Sequence, residues 1–177
     1  MARKGSRSKL LIHGSPEDLE QMKIATSMFD QPDYIVVLLS VAILEHVLGA
    51  AIAQHFTPSM PEAHLATLFE DGGNGPLATF SAKCRIAFAL GVFGEKTNRD
   101  LQRIRTIRNA FAHPPRPIDF ATAEIRRQCE TLEAASQNSG DARQRFIVAF
   151  LVYWGAFRGY RLNDSSLVGA KFRIDLS

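Results

Sequence analysis

The stretch that decides the fold runs from Tyr34 to Ala53 and reads YIVVLLSVAILEHVLGAAIA. It is nearly long enough to span a bilayer, but it contains the carboxylate of Glu45. A carboxylate at bilayer depth costs about 2.5–3.5 kcal/mol on insertion scales. A second apolar run, Phe146 to Phe157, is too short to span a bilayer. Both runs therefore predict central helices, buried on most sides, in a protein without a membrane partner.

The composition of the chain favours one globular domain. Apolar residues make up 46% of its 177 residues and charged residues 22%, which excludes broad disorder. The formal charge of +3 is a mild excess that permits an anionic partner without requiring one. The N-terminus is polar and basic, with no apolar run behind it, so it does not resemble a secretory signal. We therefore expect a cytoplasmic protein.

Start and stop signals divide the chain into seven helices with short connections. We predict helices over 15–30, 33–56, 61–69, 80–93, 98–112, 121–135 and 141–160. The segment from Asp71 to Pro76 is the strongest loop signal, and Pro114 ends the fifth helix. With no convincing strand, the fold class is all-α, an antiparallel bundle of about six to seven helices over 15–160. A flexible basic arm (1–14) precedes this domain and a tail (161–177) follows it.

The sequence predicts neither a metal nor a cofactor. Cys84 and Cys129 lie in predicted helices and are expected to be reduced, mostly buried thiols, although a disulfide between them stays open. The histidines show no metal-ligand spacing with a third ligand. The glycines after Asp71 match no phosphate-binding loop.

Two oppositely charged residues are predicted to lean inward. On the fifth predicted helix, Arg108 lies on or beside the apolar stripe, where a guanidinium needs a carboxylate or an exit to solvent. Glu45 is a carboxylate in the most apolar helix, so it needs a positively charged partner. The simplest solution is an ion pair between Glu45 and Arg108. It would act as a structural clamp that fixes helix register, although buried pairs also mark functional sites.

The end of the same helix carries a candidate catalytic group. Asn109 and His113 are four residues apart and share a helix face. His113 precedes Pro114, which biases it away from helical dihedrals, so the imidazole can be re-aimed there. A solvent-facing cap of the helix C-terminus is the alternative role for His113.

Basic residues surround this segment. Seven arginines lie between residues 99 and 127, against three acidic residues. Among them Arg103, Arg105 and Arg116 form a candidate anion-binding patch, although a solvated helix face is the commoner explanation. Aromatic residues are sparse there, so a platform for stacking nucleic-acid bases is not predicted.

The order of five blocks within residues 30–132 resembles the mannitol operon repressor (MltR) family. The blocks are LFED (68–71), GPLATFSAK (75–83), ALG (89–91), DL (100–101) and IRTIRNAFAH (104–113). The resemblance implies an all-helical bacterial protein named as a transcriptional repressor. Because the family lacks an evident DNA-reading helix-turn-helix, it also implies action through protein partners.

A shorter resemblance concerns the arginine and histidine. Arg108-Asn109 followed by three residues and His113 is similar to the Arg-polar-x(3–5)-His signature of HEPN domains. These are helical bundles, often dimers, and many are metal-independent ribonucleases. The resemblance implies that Arg108 stabilises charge on the transition state, that His113 is the general acid or base, and that Asn109 positions the imidazole or the phosphate. It also makes RNA a candidate partner.

Three functions follow as alternatives. They are a non-enzymatic regulator of the MltR type that acts by protein contact, a HEPN-type ribonuclease, and a direct DNA-binding repressor. We favour the regulator because the longer resemblance covers most of the chain. No recognition helix with a preceding short turn is visible, so sequence-specific DNA is not expected as a partner. The apolar faces of the second and seventh predicted helices favour a homodimer.

Overall fold

A computed structural model of the protein describes residue 23 and residues 27–70, 75–114, 117–135 and 140–162. Within these ranges the chain forms six α-helices and a short 3-10 helix, without a strand. The helices are α1 (Asp33–Ala53), α2 (Glu62–Phe69), α3 (Phe80–Ala89), α4 (Glu95–Ala112), α5 (Ala123–Glu130) and α6 (Ala142–Leu162). The predicted all-α bundle is confirmed. The predicted basic arm and most of the first predicted helix and of the tail lie outside the described residues.

The boundary between α3 and α4 differs from the prediction. We predicted one helix as far as residue 93, but α3 ends at Ala89 because Gly91 adopts a φ of +72°. The N–H of Val92 then donates to the carbonyl of Ala87 at 2.9 Å, which closes the helix end. These turn bonds satisfy carbonyls that the helix would otherwise leave without a donor.

The start of α4 was also predicted too late. We expected Thr97 or Asn98 to cap it, but the helix begins at Glu95. The residue at the N-cap is Gly94, which has an extended backbone, so no side chain caps the helix. Thr97 is 1% exposed and lies within the helix, facing the core. In the same way α5 ends at Glu130, five residues before the predicted 135.

Helix α1 is the central element of the bundle. It packs against α3, α4 and α6. At its N-terminus, Asp33 forms an ion pair with Arg143 at 3.1 Å, so the first turns of α1 and α6 lie side by side. The largest fully buried side chains come mainly from α1, α4 and α6: Leu44, Leu48, Ile52, Phe93, Leu101, Ile104, Ile107, Phe146, Phe150, Tyr153 and Phe157.

Length and composition alone would allow α1 to cross a membrane. Its most apolar window has a mean hydropathy of 2.4, and 56% of that window is buried inside the fold. A central helix of a bundle passes the same test, so this property is weak evidence for a membrane span. The contacts of α1 with three other helices agree with the predicted central position.

A buried carboxylate fixes α4 against its neighbours. Asp100 is fully buried and accepts hydrogen bonds from the backbone N–H of Glu133 at 2.9 Å and from the hydroxyl of Tyr153 at 2.7 Å. At the other end of α4, Phe111 packs against Phe120 with ring centroids 5.6 Å apart. Because Phe120 contacts the beginning of α6 and Tyr153 lies in its second half, α4 and α6 are antiparallel.

Candidate functional site

The last turn of α4 presents the three residues of the predicted motif on the surface. Arg108, Asn109 and His113 are all exposed, whereas Phe111 between them is 4% exposed and anchors the helix end in the core. Arg108 donates to the side-chain oxygen of Asn109 at 3.3 Å. His113 caps the helix with φ −136° and ψ 57°, so the expected departure from helical dihedrals before Pro114 is confirmed.

The predicted ion pair between Glu45 and Arg108 is wrong. The carboxylate of Glu45 instead accepts from the ammonium of Lys83 at 2.8 Å. Lys83 lies on α3, which packs directly against α1, and it is 7% exposed. Among the described residues Arg108 has no carboxylate within 4.0 Å. The Glu45–Lys83 pair is therefore the clamp between helices, and Arg108 is not part of it.

An open cavity explains why Arg108 reaches solvent. It has a volume of about 260 Å³ and lies between the start of α3 and the second half of α4; we call it the α3–α4 cavity. Its lining residues are Glu45, Ala78, Thr79, Phe80, Ser81, Arg105, Arg108 and Asn109. Thr79 caps α3 by accepting from the N–H of Ala82 at 3.2 Å. The structure thus brings Arg108 and Asn109 to one cavity, and His113 is not among the lining residues.

The arginines of α4 fall into two groups. Arg99 and Arg103 are neutralised: Arg99 donates to Glu133 at 2.8 Å, and Arg103 pairs with Asp100 at 2.8 Å. The hydrogen bond from Arg99 holds the pKa of the Glu133 carboxyl below its usual range. Arg103 therefore does not belong to the predicted anion patch, and Arg116, which we also assigned to it, lies outside the described residues.

The second group is Arg105 and Arg108. Arg105 is half-buried and donates to the neutral side chain of Gln102 at 3.0 Å. Within the described ranges, neither guanidinium of this group lies within 4.0 Å of a carboxylate. Since an arginine cannot lose its proton at physiological pH, the α3–α4 cavity keeps two positive charges.

In the described ranges, the two cysteines and the residues of metal-ligand type form no candidate site. Cys84 and Cys129 are free and buried, and burial raises the pKa of each thiol to about 12. Such thiols are poor nucleophiles near neutral pH. In the part of the chain that the structure describes, no group of three or more His, Cys, Asp or Glu side chains could hold a metal ion.

Two helices carry uncharged faces directed away from the core. On α6 this face includes Leu151, which is 37% exposed, and the exposed Gly155; Arg158, seven residues after Leu151, bounds it before the exposed Gly159. A Cβ added at either glycine would meet no atom of the described residues within 4 Å. On α1 it includes Leu39, which is 38% exposed, and the exposed Ala42. We call these two surfaces the apolar faces of α6 and α1.

No family model, curated protein or solved structure matches this chain. The likeness to the MltR and HEPN families therefore stays a resemblance carried by short blocks of sequence. Two features of the described structure bear on function: the charged α3–α4 cavity and the apolar faces of α1 and α6.

Proposed function

We propose that this chain is a non-enzymatic bacterial transcriptional regulator of the MltR type that acts in the cytoplasm by protein contact. Its first partner is a second copy of the same chain. The observation that supports this proposal is the uncharged surface of α6. From residue 147 to residue 157 the helix contains no charged residue, although Leu151 and Gly155 in this stretch are exposed.

The size of this surface suits an interaction site. Three turns of α6 extend about 16 Å, and one helix face is about 10 Å wide. An exposed apolar area of a few hundred square ångströms is the size that marks protein contacts on soluble proteins. The apolar face of α1, a helix that packs against α6, offers the exposed Leu39 and Ala42 as a further uncharged surface.

The pattern on α6 is complementary to itself. Leu151 projects from the helix, and Gly155, one turn later, leaves a gap beside it. In two antiparallel copies of α6 related by a two-fold axis, each Leu151 fills the gap at the partner's Gly155. A glycine inside a helix costs about 1 kcal/mol relative to alanine. Because a Cβ has free space at Gly155, packing against described residues of the same chain does not explain this cost.

Sedimentation equilibrium tests this assignment. We expect the chain to dimerise at micromolar concentration and the exposed Leu151→Arg to remain monomeric with an unchanged circular dichroism spectrum. The matched control is Leu90→Arg, which changes an apolar residue 42% exposed on a different element, directly after the end of α3. A monomeric wild-type chain at about 100 µM, or equal loss of dimer in both variants, would remove the proposal.

Gly155→Ala separates the interface from the stability of the fold. In a monomer the change should raise the free energy of unfolding by about 0.5–1 kcal/mol, because alanine loses less conformational entropy in a helix. In the dimer it should weaken association, because the added methyl group occupies the gap that receives Leu151. Opposite signs for the two effects support the interface, and equal association constants for wild type and Gly155→Ala would argue against it.

A second candidate is a metal-independent ribonuclease of the HEPN type. The observation that favours it is that Arg108, Asn109 and His113 are all exposed at one end of α4, so a substrate can reach them. Arg108 would stabilise the transition-state charge, and His113 would transfer the proton. Cleavage of a structured RNA in excess chelator, lost in both Arg108→Ala and His113→Ala, would establish this activity. Absence of cleavage by a folded wild-type chain would leave the regulator.

A further inference from the structure

Two arginines that line the α3–α4 cavity form no ion pair with a carboxylate of the described residues. Arg99 and Arg103, which come earlier on α4, pair with carboxylates, whereas Arg105 and Arg108 have neutral side-chain acceptors. The carboxylate that lines the cavity, Glu45, is already compensated by Lys83 at 2.8 Å. The charged lining residues Glu45, Arg105 and Arg108 therefore carry a net charge of about +1, and Lys83, which is not a lining residue, offsets the carboxylate of Glu45.

The two arginines also lie at a concave part of the surface, next to the buried side of α4. Arg108 lies four residues after Ile104 and three before Phe111, both buried, so it stands beside the core stripe of α4. Its side chain is nevertheless exposed, because the packing over this part of the stripe is interrupted by the cavity. The two guanidinium groups thus border a concave gap, unlike arginines on a convex helix surface.

We propose that this cavity binds a small phosphate monoester. A phosphate monoester carries nearly two negative charges at neutral pH, which matches the two guanidinium groups, whereas each phosphodiester of a nucleic acid carries one. Guanidinium forks bind phosphate oxygens in a bidentate manner. The first N–H groups of α3, from Phe80 and Ser81, have no acceptor within the helix and favour an anion at the same place.

The volume and the remaining polar groups limit the ligand. About 260 Å³ lies just below the usual range for small-molecule pockets, so the cavity suits a ligand of sugar-phosphate size. The side-chain oxygen of Asn109 accepts from Arg108, which leaves its amide N–H groups to donate. One oxygen of Glu45 accepts from Lys83, and the other carboxylate oxygen supplies an acceptor for a hydroxyl group. The inference does not depend on the protein partner proposed above.

Isothermal titration at about 0.15 M salt, where exposed charges are screened beyond about 8 Å, tests the proposal. The probes are inorganic phosphate, glucose 6-phosphate, glucose and a dinucleoside monophosphate. We expect both monoester-type anions to bind, and glucose and the diester to bind at least about tenfold more weakly. Arg105→Gln and Arg108→Gln should each weaken phosphate binding by about tenfold or more, a change of about 1.4 kcal/mol.

The exposed Arg127→Gln on α5 is the matched control, because it removes the same charge at a residue that does not line the cavity. It should leave the dissociation constant for phosphate unchanged, and unfolding curves confirm that all three variants are folded. Equal binding in all three, or no binding of phosphate at millimolar concentration, would refute the site. Tighter binding of the diester than of glucose 6-phosphate would also overturn the assignment, and would direct attention to an RNA backbone.

Discussion

The ion pair between Glu45 and Lys83 should stabilise the fold asymmetrically. The side chain of Lys83 is 9% exposed and that of Glu45 is 27% exposed, with 2.8 Å between the ammonium and the carboxylate. Removing the carboxylate leaves a nearly buried ammonium without a compensating charge. Removing the ammonium leaves a carboxylate that water can still reach. The two single substitutions therefore should not cost the same.

The magnitudes follow from this difference in exposure. Breaking a fully buried ion pair from one side costs about 3–5 kcal/mol, and an exposed pair contributes about 0–1 kcal/mol. Glu45→Gln keeps a neutral acceptor near the ammonium, so we expect it to lower the free energy of unfolding by about 2 kcal/mol. Lys83→Met keeps the apolar stem and should cost less than about 1 kcal/mol.

Urea unfolding followed by circular dichroism measures both values and their coupling. In the double variant Glu45→Gln/Lys83→Met we expect a coupling energy of about 1–2 kcal/mol, because each group loses its partner. A cycle between Glu45→Gln and Arg108→Gln should couple by less than about 0.5 kcal/mol, since Arg108 is not the partner. A larger cost for Lys83→Met than for Glu45→Gln, or strong coupling to Arg108, would refute the assignment of the clamp.

Three further predictions concern the fold. Tyr153→Phe removes the 2.7 Å hydrogen bond to Asp100 and should lower the free energy of unfolding by about 1.5 kcal/mol in urea. Because burial raises the pKa of Tyr153 in the folded state, wild-type stability should decline above about pH 10, and Tyr153→Phe should reduce this decline. Thr79→Ala removes the cap of α3 and should cost about 1 kcal/mol by the same assay, with Thr79→Ser as control. Cys84 and Cys129 should react with iodoacetamide at pH 8 only after unfolding; rapid labelling of folded protein followed by mass spectrometry would contradict their burial.

Much of the fold was predictable because the apolar runs are long. The run from Tyr34 to Ala53 predicts a helix within a few residues of the observed α1. Because apolar residues occur on all sides of this helix, it was also expected to contact several other helices. The errors lie at helix ends, where local backbone geometry decides. The sequence around Gly91 and Gly94 continues the apolar spacing of α3, but the left-handed backbone of Gly91 ends the helix.

The site was harder to predict because the partner of a charge depends on packing between helices. Helical spacing predicted that Arg108 leans inward, but its side chain is exposed, because spacing could not show that a cavity opens at that level. Lys83 was missed, although it stands between Ala82 and Cys84 on a helix with an apolar side. Applying the argument used for Arg108 to every charged residue in an apolar helix would have identified Lys83 as a second candidate partner for Glu45.

The apolar face of α6 and the α3–α4 cavity should behave as independent sites. Binding energies at two sites are coupled when a ligand changes the balance between two conformations, or when both sites share contacting residues. The lining residues of the cavity come from α1, α4 and the start of α3, and none of them lies on α6. We therefore expect Leu151→Arg to leave the dissociation constant for phosphate unchanged, and Arg105→Gln to leave the association constant of the dimer unchanged. A shift of either constant by more than about threefold, about 0.6 kcal/mol, would instead require a conformational change that links the cavity to α6.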